Sequence, residues 1–223
     1  MTAAQAESPV AEGVRSLEVR WIFPGQADTA VAGWFQRFPA GVESRQDAYL
    51  VDPRLGWAFG KDPRAWGTRG KGVPREPGIL GIAGRARGRM EFWQKWSFPC
   101  GPPSQAGAAP PSWVLVHKRI SRISLASGQI QARARGQGEE HGCMVEFTEV
   151  HRHGKAWWTL GLEATGPASL LRRELDAAAT LVVAQALPDG IELDADHSQS
   201  HAEWLGREPG AEPPPDPQPP ARR

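Results

Sequence analysis

The sequence predicts an α+β fold built on an antiparallel, barrel-like sheet with flanking helices. Three observations carry this expectation. Six or seven segments alternate apolar and polar residues with a period of two, which sends successive side chains to opposite faces of a strand. One late segment, Ser169 to Leu187, has helical spacing instead. The 223 residues include 25 Gly, 21 Pro and 10 Trp, a composition of strands, turns and loops more than of a helical bundle.

Taken in order, the first ~14 residues are small and polar and read as disordered. SLEVRWIF, Ser16 to Phe23, sets Ser16, Glu18 and Arg20 against Leu17, Val19, Trp21 and Phe23. ADTAVAGWFQRF reads as a helix with Asp28 as its N-cap. RQDAYLV groups Arg45, Asp47 and Tyr49 on one face. Pro53 to Gly78 reads as a loop, being rich in Gly, Pro and charge, and so does Pro99 to Ser112. Between them, GRARGRMEFWQKW places Arg85, Arg87, Arg89, Glu91 and Lys95 on odd positions, with Ala86, Gly88, Met90 and Phe92 between.

Trp113 to Leu125 is β-branched and mixed. QIQARARG opposes Arg133 and Arg135 to Ile130, Ala132 and Ala134. CMVEFTEV sets Met144, Glu146 and Thr148 against Val145 and Phe147, with the condition that one bulge would turn Glu146 outward and bring Glu149 in. AWWTLGLEATG sets Thr159, Gly161 and Glu163 against Trp158, Leu160 and Leu162. In the closing helix Leu171, Leu175, Ala178 and Val182 form a stripe, with Ser169 as cap and Pro188 and Gly190 beyond the end. The expected organisation is thus a disordered 1–14, one domain over 15–190, and a Pro-rich disordered tail over 191–223.

Composition narrows function. The net charge of +1 argues against a general polyanion binder, so any cationic site is local. Two cysteines, Cys100 and Cys143, are too few for a disulfide framework. The N-terminus has no signal-peptide pattern, and no run of 18 apolar residues suggests a membrane span, so the expected location is cytoplasmic. No P-loop is present.

The polar faces are richer in arginine than a solvated face requires. Arg20, Arg85, Arg87, Arg133 and Arg135 supply planar forks of donors suited to phosphate oxygens. The sparse carboxylates on the same strands, Glu18, Glu146 and Glu163, suit Mg2+ or Mn2+, which take oxygen ligands and bridge to phosphates.

In these residues the chain resembles the CYTH-like family, the triphosphate tunnel metalloenzymes. SLEVR stands where the family has Glu-x-Glu-x-Lys, with Glu18 matching the second Glu, Arg20 at the Lys and Ser16 at the first Glu. GIAGR and EFWQK stand at a later strand pair, where Arg85, Glu91 and Lys95 fit while Ala83 and Trp93 replace lysines. HKR, His117 to Arg119, looks like the family's basic strand, which adds Lys118, and ARAR looks like its arginine strand. CMVEFTEV and WWTLGLEATG resemble its late acidic strands, with Thr148 and Gly161 where acids are usual.

The resemblance spans about residues 16 to 187. It implies an eight-stranded antiparallel barrel around a charged tunnel. It also implies binding, and metal-dependent hydrolysis, of a triphosphate or polyphosphate. Substrate would be held by Arg20, Arg85, Arg87, Lys95, Lys118, Arg133 and Arg135, and metal by Glu18, Glu146 and Glu163. The alternative is a non-catalytic module for polyphosphate or RNA, with Trp93 and Trp96 stacking on bases. His141, Cys143, His151 and His153 offer zinc-type ligands in a spacing that fits no standard pattern, so a solvated turn is the better reading there.

Overall fold

Period-two alternation does become strand, and the strands pair into one sheet. The computed structural model describes residues 14–50, 59–62, 68–82, 85–98, 113–131, 141–184 and 186–207, with backbone alone at 50, 59–62, 68–77, 96–98 and 113. In chain order the elements are β1 (Val14–Pro24), α1 (Thr29–Gln36), β2 (Gly41–Leu50), β3 (Phe59–Asp62), β4 (Thr68–Ile82), β5 (Ala86–Phe98) and β6 (Trp113–Ala126). Then come β7 (Gln129–Gln131), β8 (Gly142–Arg152), β9 (Lys155–Thr165), α2 (Ala168–Ala184) and α3 (His201–Gly206). The sheet order is β2-β3-β4-β5-β1-β9-β8-β6-β7, every pairing is antiparallel, and β2 pairs also with β6, from Gly41↔Arg122 to Leu50↔Trp113. The α+β class and the antiparallel pairing are those the alternation predicts.

Strands β1, β4, β5, β6, β8 and β9 each bury apolar residues against the helices. Leu17, Val19, Trp21 and Phe23 of β1 join Val145 and Phe147 of β8, Trp158, Leu160 and Leu162 of β9, and Leu171, Leu175, Ala178 and Val182 of α2 in one buried cluster. The α2 stripe is the predicted one, and the helix begins at Ala168, one residue before the expected cap. Asp28 caps α1 as predicted, accepting from the Val31 amide at 2.7 Å. Trp34, Phe35 and Phe38 follow into the cluster, with the Phe35 and Phe147 rings stacked at 5.5 Å.

Two expectations need correction. The predicted loop over Pro53 to Gly78 contains β3 and most of β4. Pro74 and Pro77 disguised β4. Each removes a ladder donor, and the β4–β5 register shifts at Gly72/Arg75 and at Arg75/Gly78, on either side of these prolines. The folded part also runs past residue 190. Leu193 forms an isolated bridge with Ala86, and Ser198 one with Trp21. The Gln199 amide donates to the Arg20 carbonyl at 3.0 Å, and the Ile22 amide to the His197 carbonyl at 2.9 Å. This segment pairs with β1 beyond Val19, where the β1–β5 register ends. It then delivers α3 to the polar face, where Trp204 and Leu205 pack with Ile22, Tyr49, Trp93, Val116 and Val150. Residues 1–13 and 208–223, the Pro99–Ser112 stretch, Arg133 and Arg135 lie outside the described residues. Among the described residues no helix is long and apolar enough to cross a membrane.

Candidate functional site: a polar wall of saturated ion pairs

The charged residues of β1, β2, β5, β6, β8 and β9 stand in rows, because antiparallel register puts same-parity residues side by side. One row reads Arg20, Gly161, Glu146, Arg122, Gly41 across β1, β9, β8, β6 and β2. Arg20 Nη1 is 2.9 Å from Thr159 Oγ1 and 3.4 Å from Glu146 Oε1. Arg122 Nε is 2.9 Å from Glu146 Oε2, and its Nη1 is 3.3 Å from Glu43 Oε2. Thr148 Oγ1 donates to Glu146 Oε1 at 2.9 Å. Burial alone would raise the Glu146 carboxyl, but Arg20, Arg122 and Lys118 outweigh it and hold the group well below the usual carboxylate range. This also settles strand parity. Glu146 faces the wall, and Glu149 faces the other way, 2.8 Å from Arg119.

The second row is acidic. Glu91, Glu18 and Glu163 are in register on β5, β1 and β9. Lys95 Nζ lies 2.7 Å from Glu18 Oε1 and also contacts Glu163 Oε1. Ser16 Oγ donates to Glu18 at 2.7 Å, and the Trp93 indole donates to Glu91 at 2.8 Å. Burial pushes the Lys95 ammonium down, yet Glu18 and Glu163 reverse that and hold it well above its ordinary value.

Near α3 the wall closes. Lys118 Nζ donates to the Tyr49 hydroxyl at 2.7 Å, Tyr49 donates to Asp47 Oδ2 at 3.2 Å, and Lys118 and Asp47 pair at 3.6 Å. Burial, then Asp47 and Glu146, push the Tyr49 hydroxyl well above its ordinary value, so it remains a donor. The Lys118 and Asp47 side chains are 2% and 1% exposed, whereas Arg122 and Glu43 are 27% and 25% exposed. The wall is therefore dry at the α3 end and open to water at the other.

Of the predicted site residues, this arrangement brings together Glu18, Glu163 and Lys95 in one group, and Arg20, Glu146 and Lys118 in another. Arg85 stands apart. It is an exposed turn residue whose guanidinium caps α2 on the Val183 and Ala184 carbonyls at 3.1 and 3.2 Å. Arg87 is also exposed, with its backbone bonded to Leu193 and to the Trp21 indole. Sequence reasoning missed Arg122. The signal was present, since Arg122 shares the parity of Lys118 four residues before it on the same strand. Trp93, at an expected lysine, is buried against Trp204 and Leu205.

The divalent ion expected from the resemblance needs Glu18, Glu146 and Glu163 together. They are split between the two rows, and Lys95 sits on Glu18 and Glu163. Among the described residues no three His, Cys, Asp or Glu side chains are grouped to hold an ion, so the arrangement does not fit the metal. The zinc-type ligands are not brought together either. Cys143 is buried on the apolar face, and His151 and His153 are exposed at the far end of β8.

No known family profile matches the chain, and no curated protein does. Two solved structures of the S. pombe Pct1 RNA triphosphatase, one of them in complex with the Spt5 CTD, are similar to it at a distance. The complex gives a TM-score of 0.41 at 12% identity, over 79% of this chain and 82% of that one. The structure without it gives 0.40 at 11%, over 79% and 81%.

Proposed function

We propose that this chain binds a triphosphate group or polyphosphate chain on the open half of the polar wall, through Arg20, Arg122, Arg45 and Lys118, and does so without hydrolysing it. The observation that carries the reading is the convergence of Arg20 and Arg122 on the one carboxylate of Glu146, with Lys118 acting on the same group electrostatically. Among the described residues, Arg20, Arg45, Lys118 and Arg122 face Glu43, Asp47 and Glu146, an excess of one positive charge. A phosphate chain would take over the guanidinium forks that Glu43 and Glu146 now occupy, exchanging one set of charge-assisted bonds for another. The double pairing of β2, with β3 and with β6, supports a sheet wrapped into the tunnel-like barrel that such a ligand would enter. Arg133 and Arg135 are proposed to add to the same site.

Binding fits this wall better than turnover. Hydrolysis needs a water oriented against the scissile phosphorus and a metal or equivalent charge beside it. Here Glu18 and Glu163 are engaged with Lys95, Glu146 with two arginines.

Calorimetry with tripolyphosphate, with and without Mg2+, tests the reading. One ligand per chain is expected, weakened at least tenfold in Arg122→Met, with no phosphate released over hours. Release of phosphate that requires Mg2+ would replace this reading by the enzymatic one. Binding of short single-stranded RNA that falls steeply with salt, with no tripolyphosphate effect, would replace it by an RNA-contacting one.

A further inference from the structure

We propose a second oxyanion site at the tip of the β8–β9 hairpin, made by Arg152 and Lys155 and taking a single phosphate or carboxylate group. It stands on different residues from the wall above and does not depend on the reading given there.

The first observation is an uncompensated buried cation. Arg152 is 8% exposed, and its Nε is buried without an acceptor. Arg20, Arg45, Arg89, Lys95, Lys118 and Arg122 each have a carboxylate oxygen within 4.0 Å. Arg152 has none. Its guanidinium instead lies 5.4 Å from the centroid of the Trp204 indole. The acid of α3 is not available to it, because Glu203 pairs with Arg89 and with Arg207, both at 2.7 Å. Burial without a counter-ion lowers the Arg152 pKa.

The second observation is a like-charged neighbour. Lys155 is directly opposite Arg152 in the β8–β9 ladder and is exposed. Two cations facing each other across a ladder repel, and one of them is largely desolvated. A shared anion removes both penalties at once. The chemistry suits an oxyanion in particular. Stacking on an indole leaves the edge of a guanidinium available for two parallel bonds to a planar or tetrahedral oxygen pair. Lys155, on a flexible stem beside the exposed His153–Gly154 turn, closes on the same group from the solvent side.

The test uses the full chain, with inorganic phosphate and acetate as separate probes, followed by tryptophan fluorescence and by calorimetry. Saturable binding of at least one probe is expected, and the tighter of the two names the ligand class. Arg152→Met should weaken it at least tenfold. Lys155→Met, at an exposed position where folding is not at stake, should weaken it several-fold. Arg122→Met should leave it in place. The proposal is overturned if neither probe binds at millimolar concentration, if both hairpin variants bind like the wild type, or if Arg122→Met is the variant that abolishes binding. Phosphate binding that survives Arg122→Met while tripolyphosphate binding does not would separate this site from the wall.

Discussion

Val145 and Phe147 of β8 lie under the helices, 0% and 4% exposed. Glu146 and Thr148, one step along the same strand on the opposite face, are 8% and 0% exposed. Burial is nearly equal, and what compensates it is not. The first pair gives up only contact with water and gains packing against Phe35 and its neighbours. The second gives up hydration of a carboxylate, which Arg20, Arg122 and Thr148 restore bond by bond. One face can therefore be weakened continuously by removing atoms. The other is weakened in steps, one partner bond at a time.

The largest test of that contrast is on the apolar face. Leu175→Ala empties a site that is 0% exposed and should cost about 3 kcal/mol by urea unfolding, as buried leucine truncations do. A cost under about 1 kcal/mol would mean that α2 is less firmly seated than its packing indicates.

Gly88→Ala comes next. A Cβ there would meet Val19 and, at 2.7 Å, Trp21 Cζ2, two packed side chains with little room to move. A loss of about 2 kcal/mol is expected, measured the same way.

On the polar face, Glu146→Gln should cost about 1.5 kcal/mol at neutral pH, the scale of hydrogen bonds to charged groups. Its signature is in the pH dependence. The folded state holds the Glu146 carboxyl below its ordinary 4.5, so this stabilisation is complete above that pH and is lost as pH falls through the depressed folded value. Unfolding midpoints from pH 6 down to 3 should therefore fall more steeply for the wild type than for Glu146→Gln. Parallel slopes would deny the carboxylate its role.

The smallest effect on stability is expected from Gly161→Ala, the counterpart of Gly88→Ala. The new Cβ meets the Arg20 guanidinium at 2.6 Å, but this is the end of a flexible side chain that can swing away. Stability should change by under about 0.5 kcal/mol. Displacing Arg20 from Thr159 and Glu146 should nonetheless lower tripolyphosphate affinity about tenfold, or about 1.4 kcal/mol, by calorimetry. Unchanged affinity would remove Arg20 from the binding wall.

The strands with uninterrupted alternation were legible from the sequence, as were both faces of β1, β8 and β9, because a period of two needs no tertiary information. β4 was not, since Pro74 and Pro77 break the pattern where the strand itself tolerates a shift in register. Arg85 misled for the opposite reason. It continues the parity of Arg87 and Arg89, but the strand begins only at Ala86, so the alternation extended one residue into a turn. α3 was hidden by length. Six residues contain too little periodicity to stand out beside a Pro-rich stretch, and only the polar face that receives Trp204 explains their burial. Ser16, Thr148 and Gly161 looked like losses from an acidic site. In the structure Ser16 and Thr148 donate to the remaining acids, and Gly161 makes room for a guanidinium.

The bonds between residues 197–199 and β1 join nearly the two ends of the described chain. A polypeptide is made from its N-terminal side, so β1 precedes residues 197–199 and must wait with the backbone of Arg20 and Ile22 unpaired until all the strands between them have been made. An unpaired strand edge is a template for another chain, and contacts between distant residues form slowly. Chains arrested or cleaved before residue 193 should therefore tend to associate with one another, although they retain every strand of the sheet.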